Sequence, residues 1–101
     1  MAEAHDRPPR REARRLARQR LATLRTVPFG PLVTQYFGQP EHEEVVGPSS
    51  VRYDLSIEAF WDSRDSRNLR VLVVVDDGTR RFRRVLSEAF IMAPDGSFVD
   101  E

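Results

Sequence analysis

An alternating stretch from residue 51 to residue 61 constrains this chain more than any other feature. Apolar and polar side chains alternate there over eleven positions, and a second apolar run, Leu69–Val75, follows a polar loop. Successive side chains of a β-strand point to opposite faces of a sheet, so this alternation predicts a half-buried strand. We therefore predict an antiparallel hairpin in which Trp61 lies opposite Leu69.

The dipeptide Asp77-Gly78 predicts the next turn. Asp-Gly between two strand-like runs is a strong signal for a two-residue type I′ turn, because both central positions need a positive φ. With this turn, Val75 lies opposite Arg80, and the third strand covers residues 79–86.

These registers assign the side chains to two faces of the sheet. The second face mixes charged and apolar residues, and a strand that is apolar on both sides is usually covered at least partly on both. Solvent and a partner protein are the alternatives for that face, and as a protein interface it would use Phe60, Leu72, Val74 and Val85. The predicted core face consists of Val51, Tyr53, Leu55, Ile57, Ala59, Trp61, Leu69, Val71, Val73, Val75, Phe82 and Leu86.

The N-terminal part predicts a basic amphipathic helix. Residues 1–9 are predicted to be a disordered lead-in, and residues 10–25 are rich in Ala, Leu, Arg and Gln, which are strong helix formers. The apolar stripe consists of Ala13, Leu16, Ala17, Leu21 and Leu24, and the opposite face of Arg11, Arg14, Arg15, Arg18 and Arg25. The helix either packs its stripe on the sheet and leaves the arginines in water, or uses them on nucleic acid, an acidic protein or a membrane surface.

Two further segments have weaker patterns. Residues 32–37 fit a short strand or one helical turn, and residues 41–50 indicate an exposed loop. Near the C-terminus, Pro94-Asp-Gly96 favours a turn, which predicts a small hairpin between residues 90–93 and 97–99. A helical turn starting at Ser87 is the alternative there.

Charge is unevenly distributed along the 101 residues. The net charge is zero, yet residues 1–30 carry eight arginines against three acids, and residues 31–78 carry four arginines against nine acids. A basic arm and an acidic body can attract each other, which favours internal docking or self-association. The sixteen basic residues are all arginine. A GC-rich genome produces the same bias, so their number alone is weak evidence for nucleic acid.

The sequence offers little for catalysis or metal binding. The absence of cysteine excludes disulfides, zinc-thiolate sites and cysteine nucleophiles. His42 lies among carboxylates on a predicted loop, but adjacent loop residues rarely converge on one ion. Asp54, Asp76 and Asp77 are predicted to lie near one another, and a role in the turn explains Asp76 and Asp77 without catalysis. We therefore predict no catalytic residue, no metal, no cofactor and no enzymatic activity.

The predicted architecture is α+β, with the N-terminal amphipathic helix packed on one face of a three- to four-stranded antiparallel sheet, a meander of hairpins. One domain covers residues 10–101, with strands at about 51–61, 69–76, 79–86 and 90–93. No apolar run reaches the roughly 18 residues of a membrane span, and we expect a cytoplasmic location.

Two functions fit this architecture. The favoured one is a small non-enzymatic protein-interaction module that binds a protein partner or itself, as a homodimer, through the second sheet face or an edge strand. The alternative is a nucleic-acid accessory protein that binds phosphates through Arg11, Arg14, Arg15 and Arg18 together with Arg81 and Arg83.

Overall fold

The protein folds as two helices followed by a five-stranded antiparallel sheet, and the computed structural model describes residues 8–78 and 85–100. The strands follow one another across the sheet in chain order. The predicted α+β class is therefore confirmed, with more strands than the three to four expected. The elements are α1 (Pro8–Leu24), α2 (Phe29–Tyr36), β1 (Glu41–Val46), β2 (Arg52–Trp61), β3 (Leu69–Asp76), β4 (Val85–Met92) and β5 (Phe98–Val99).

The hairpin β2–β3 has the predicted register. Trp61 pairs with Leu69, and Ile57 pairs with Val73. Alternate residues of both strands are buried, as the period-two pattern requires. Trp61 departs from the prediction, because 40% of its surface remains exposed.

The predicted pairing of the third strand is wrong. Val75 lies opposite Leu86 instead of Arg80, and β4 runs without a break from Val85 into the strand predicted separately at 90–93. This register buries Phe90, Ile91 and Met92 beside β3, which a tight turn at Asp77-Gly78 would not do. The shift is an even number of residues, so it preserves the faces of the sheet.

Residues around that turn are only partly described. Gly78 does have a positive φ of 78°, and its N–H donates a 2.8 Å hydrogen bond to Asp76 Oδ1. Residues 79–84 lie outside the described residues, and with them Phe82, Arg81 and Arg83. The helical turn considered at Ser87 is also wrong, because Ser87 lies within β4.

The segment predicted to be an exposed loop contains strand β1. It pairs with β2, with Glu43 opposite Leu55 and Val45 opposite Tyr53. Most of its side chains are exposed, so it lacks the apolar alternation that marks a half-buried strand. The turn after β1 passes through Ser50, which has a φ of 69°.

The C-terminal hairpin is confirmed. The Ala93 N–H donates a 2.8 Å hydrogen bond to the Ser97 carbonyl, and Gly96 takes a φ of 90°. Phe98 then pairs with Met92 and contacts Phe90 edge to face.

Both helices lie on the same face of the sheet, which we call the helix face. Helix α1 begins at Pro8, earlier than predicted, because proline is tolerated in the first turn. It packs on β3 and β4 through a stripe of buried side chains, while α2 contacts β2. Trp61 lies beside Phe29 and Phe37 of this layer, with ring centroids 6.4 and 4.9 Å away. The buried residues of the α1 stripe are Ala13, Ala17, Leu21 and Leu24.

Candidate protein interface

The face of the sheet opposite the helices, which we call the open face, carries an apolar centre. Directly paired residues of neighbouring strands lie side by side on one face, so the register arranges this face in four rows across the strands. The first row is Phe60, Arg70, Ile91 and Val99; the second is Glu58, Leu72 and Ala89; the third is His42, Ser56, Val74 and Ser87; and the fourth is Glu44, Asp54 and Asp76.

Three of the four predicted interface residues meet on this face. Leu72 and Val74 are half-buried in the middle of β3, and Phe60 on β2 is 38% exposed. No described helix covers them, since α1 and α2 both contact the other side. Val85, the fourth predicted residue, begins β4 opposite Asp76.

The apolar centre extends further than the sequence indicated. Ala89 lies opposite Leu72, and Ile91 lies between Arg70 of β3 and Val99 of β5. These residues were missed because the third strand was placed at residues 79–86. The uninterrupted run from Val85 to Met92, with Ala89 and Ile91 on alternate positions, was the signal available for them.

One end of the open face is acidic. Glu44, Asp54 and Asp76 form the fourth row. His42 Nδ1 lies 3.6 Å from an Asp54 carboxylate oxygen, and Arg52 lies 3.7 Å from Glu44. Asp54 and Asp76 are directly paired, as the predicted register required.

The other end carries Arg70, which is held in place by a buried carboxylate. Asp62 is only 2% exposed, and its oxygens lie 3.4 Å from Arg64 Nε and 3.4 Å from Arg70 Nη2. Arg64 also reaches Asp100 at 2.9 Å. These contacts fix Arg70 in the first row, with about a third of its side chain still exposed.

Glu58 stands out within the apolar centre. Glu58 is half-buried beside Leu72. Within residues 8–78 and 85–100 its side-chain carboxylate has no hydrogen-bond or ion-pair partner. Covering an unpaired carboxylate costs free energy unless the covering group offers a donor. Any occupant of the open face must therefore bring a donor to Glu58.

The predicted basic residues of α1 lie on a different surface. Arg11, Arg15 and Arg18 are exposed, whereas Arg14 is half-buried. Arg18 lies 4.0 Å from Glu88, so part of this charge is balanced by the sheet. The companion residues Arg81 and Arg83 fall outside the described residues.

The contacts of two further arginines, Arg20 and Arg25, were not predicted. Arg20 forms a 2.7 Å ion pair with Glu43 of β1, and the Arg25 guanidinium lies 5.5 and 5.1 Å from the ring centroids of Phe90 and Phe98. The Arg20 contact ties α1 to β1, and the Arg25 contact ties the residue that follows α1 to β4 and β5. Their ion-pair and cation–π geometry indicates a structural use for these two arginines.

A carboxylate on α1 organises the β1–β2 turn, and no sequence pattern indicated this contact. Glu12 accepts hydrogen bonds from the Ser49 hydroxyl at 2.7 Å, the Ser49 N–H at 2.9 Å and the Tyr53 hydroxyl at 2.8 Å. The Ser49 hydroxyl bond is the main cause that lowers the pKa of Glu12. Burial, followed by Glu12, raises the pKa of the Tyr53 phenol.

Neither a metal site nor a membrane span is found in the part of the chain that the structure describes. No three His, Asp or Glu side chains there are grouped to hold an ion, and neither helix is long and apolar enough to cross a bilayer. The chain matches no protein-family model, no curated protein and no solved structure.

Proposed function

We propose that this protein is a non-enzymatic protein-interaction module that binds its partner through the open face. The observation that carries the proposal is the contiguous group formed by Phe60, Leu72 and Val74, which are exposed or half-buried on a sheet face over which no described helix lies. Contiguous exposed apolar surface on a small domain is typical of an interaction site.

The face supports the proposal better than the edge strand does. The six residues of the edge strand β1 include three carboxylates, those of Glu41, Glu43 and Glu44. Charged side chains on an edge strand oppose pairing with another chain. We therefore assign binding to the open face instead of the β1 edge.

Nucleic-acid binding through α1 is the second candidate. The exposed Arg11 and Arg15 favour it. Against it, Arg18 and Arg20 already face Glu88 and Glu43, and no described aromatic residue of α1 is available as a stacking platform. Charge alone supports only nonspecific phosphate contact.

A comparison of two baits tests the proposal. The full chain and a Leu72→Glu variant are used to capture proteins from an extract of the source organism, with Val46→Glu as the matched control. Val46 is 59% exposed and lies beyond the four rows. We expect a specific protein with the wild type and the control that is lost with Leu72→Glu. Equal capture by all three baits would reject the open face as a binding site for another protein. The proposal also places the protein in the cytoplasm, which cell fractionation tests.

A further inference from the structure

We infer that the occupant of the open face is a second copy of this chain, related by a twofold axis that runs across the strands. This inference rests on the proposed function and names its partner. It follows from the order of the four rows, which have Leu72 and Val74 at the centre, Arg70 at one end and carboxylates at the other.

The twofold axis reverses the order of the rows. Two sheets packed face to face keep their strands within about 30° of each other and lie about 10 Å apart. If the axis passes between the second and third rows, the first row of one copy meets the fourth row of the other. Leu72 then lies over Val74 of the second copy, and the same contact is repeated on the other side of the axis.

The ends of the face are complementary in this arrangement. Arg70 comes opposite Asp76 of the second copy, and the symmetry provides two such pairs. Arg70 uses Nη2 toward Asp62, which leaves its other donors for a second carboxylate. An axis parallel to the strands along β3 would instead bring Arg70 against Arg70 of the second copy. The contact between like charges disfavours that arrangement relative to the crosswise axis.

The same arrangement provides a donor for Glu58. The second row meets the third, so Ser56 of the second copy lies opposite Glu58. A serine hydroxyl can donate one hydrogen bond to a carboxylate. This meets the requirement that the half-buried carboxylate places on any occupant of the open face.

The size of the contact predicts a reversible dimer. With strands about 4.8 Å apart and a rise of about 3.3 Å per residue, the four rows span roughly 500 Å² on each copy. Standard stable interfaces bury about 800 Å² per partner, so this contact is at the low end of the range. We expect a dimer that dissociates upon dilution, with a dissociation constant on the order of micromolar.

Sedimentation of the full chain from about 1 to 500 µM tests the inference. We expect the wild type and Val46→Glu to shift from monomer to dimer, and Leu72→Glu to remain monomeric at all concentrations. Circular dichroism confirms that each variant is folded. Asp76→Asn keeps the side-chain oxygen that accepts from Gly78, removes the charge opposite Arg70, and should weaken the dimer at least several-fold at low salt.

Each outcome separates the two proposals. A wild type that is monomeric throughout overturns self-association, and the bait comparison then decides the proposed function alone. A dimer that Leu72→Glu leaves intact uses another surface and also overturns the inference. A dimer that Asp76→Asn does not weaken overturns the crosswise axis. The proposed function fails if all baits capture equally and Leu72→Glu disrupts no dimer.

Discussion

The Tyr53 hydroxyl donates a 2.8 Å hydrogen bond to the Glu12 carboxylate, 41 positions earlier in the chain. Tyr53 is 1% exposed, so its phenol needs this acceptor. The bond joins the first turns of α1 to the start of β2. Ser49, in the turn between β1 and β2, donates two further hydrogen bonds to the same carboxylate. Glu12 therefore fixes where α1 begins relative to the sheet.

The Glu12 carboxylate should make stability depend on acidity. The hydrogen bond from the Ser49 hydroxyl is the main cause that lowers its pKa below that of an unfolded glutamate. Its contribution to stability is therefore present above the unfolded pKa and is lost as the pH falls through the lower folded pKa. Glu12→Gln removes this titration. Urea unfolding at about pH 7 and pH 3 should show a smaller acid loss for the variant than for the wild type.

Glu44→Gln is the matched control for that measurement, since the Glu44 side chain is 67% exposed on β1. It should keep most of the wild-type acid loss. An acid loss that is the same in Glu12→Gln and the wild type would contradict the assignment.

A methyl group at Gly47 should disturb the same network. An added Cβ there would overlap the Glu12 carboxylate, which Ser49 and Tyr53 hold in place. Gly47→Ala should lower the melting temperature of the wild type and have a smaller effect in a Glu12→Ala background, because the obstructing side chain is then gone. A double-mutant cycle by thermal denaturation measures this coupling, and additive effects would refute it.

Two neighbouring valines of β3 should differ in how much an introduced carboxylate lowers the free energy of unfolding. Val73 is fully buried on the helix face, while Val74 is half-buried on the open face. Val73→Asp buries an unpaired carboxylate and should cost more than about 3 kcal/mol of unfolding free energy. Val74→Asp should leave a folded chain. Urea denaturation compares the two, and similar losses would contradict the face assignment.

The arginines of α1 should contribute little to nucleic-acid binding. If Arg11, Arg14, Arg15 and Arg18 all contacted phosphates of duplex DNA, the binding constant would fall with salt at a log–log slope near about −3.6. We expect no binding above background at about 0.15 M salt, measured by fluorescence anisotropy. Replacing all four with Gln is the matched control. Salt-sensitive binding that this variant loses would reverse the order of the two proposed functions.

The sequence predicted the strands whose alternation of apolar and polar residues shows which face is buried. Alternation in β2 and β3 sets their register, because a one-residue slip would move every apolar side chain to solvent. It also placed Phe60, Leu72 and Val74 on one face. β1 was missed because an edge strand of exposed residues has no such pattern.

The β4 register could not be read from local signals. Asp77-Gly78 favours a tight turn by itself, and only burial of Phe90 and Met92 against α1 and β3 outweighs it. That comparison requires the packed structure, so the pairing of Ile91 with Arg70 of β3 was missed. The Glu12 contacts were missed for the same reason, since nothing in a single carboxylate indicates a partner 41 positions away.

The order of the elements also matters while the chain is being made. Helix α1 leaves the ribosome first, yet it packs on β3 and β4, and β4 ends at Met92. At about 5–20 residues per second, its apolar stripe has no sheet to bind for roughly 3 to 14 s. During that interval the exposed arginines keep the nascent helix in water, which gives them a use that needs no ligand.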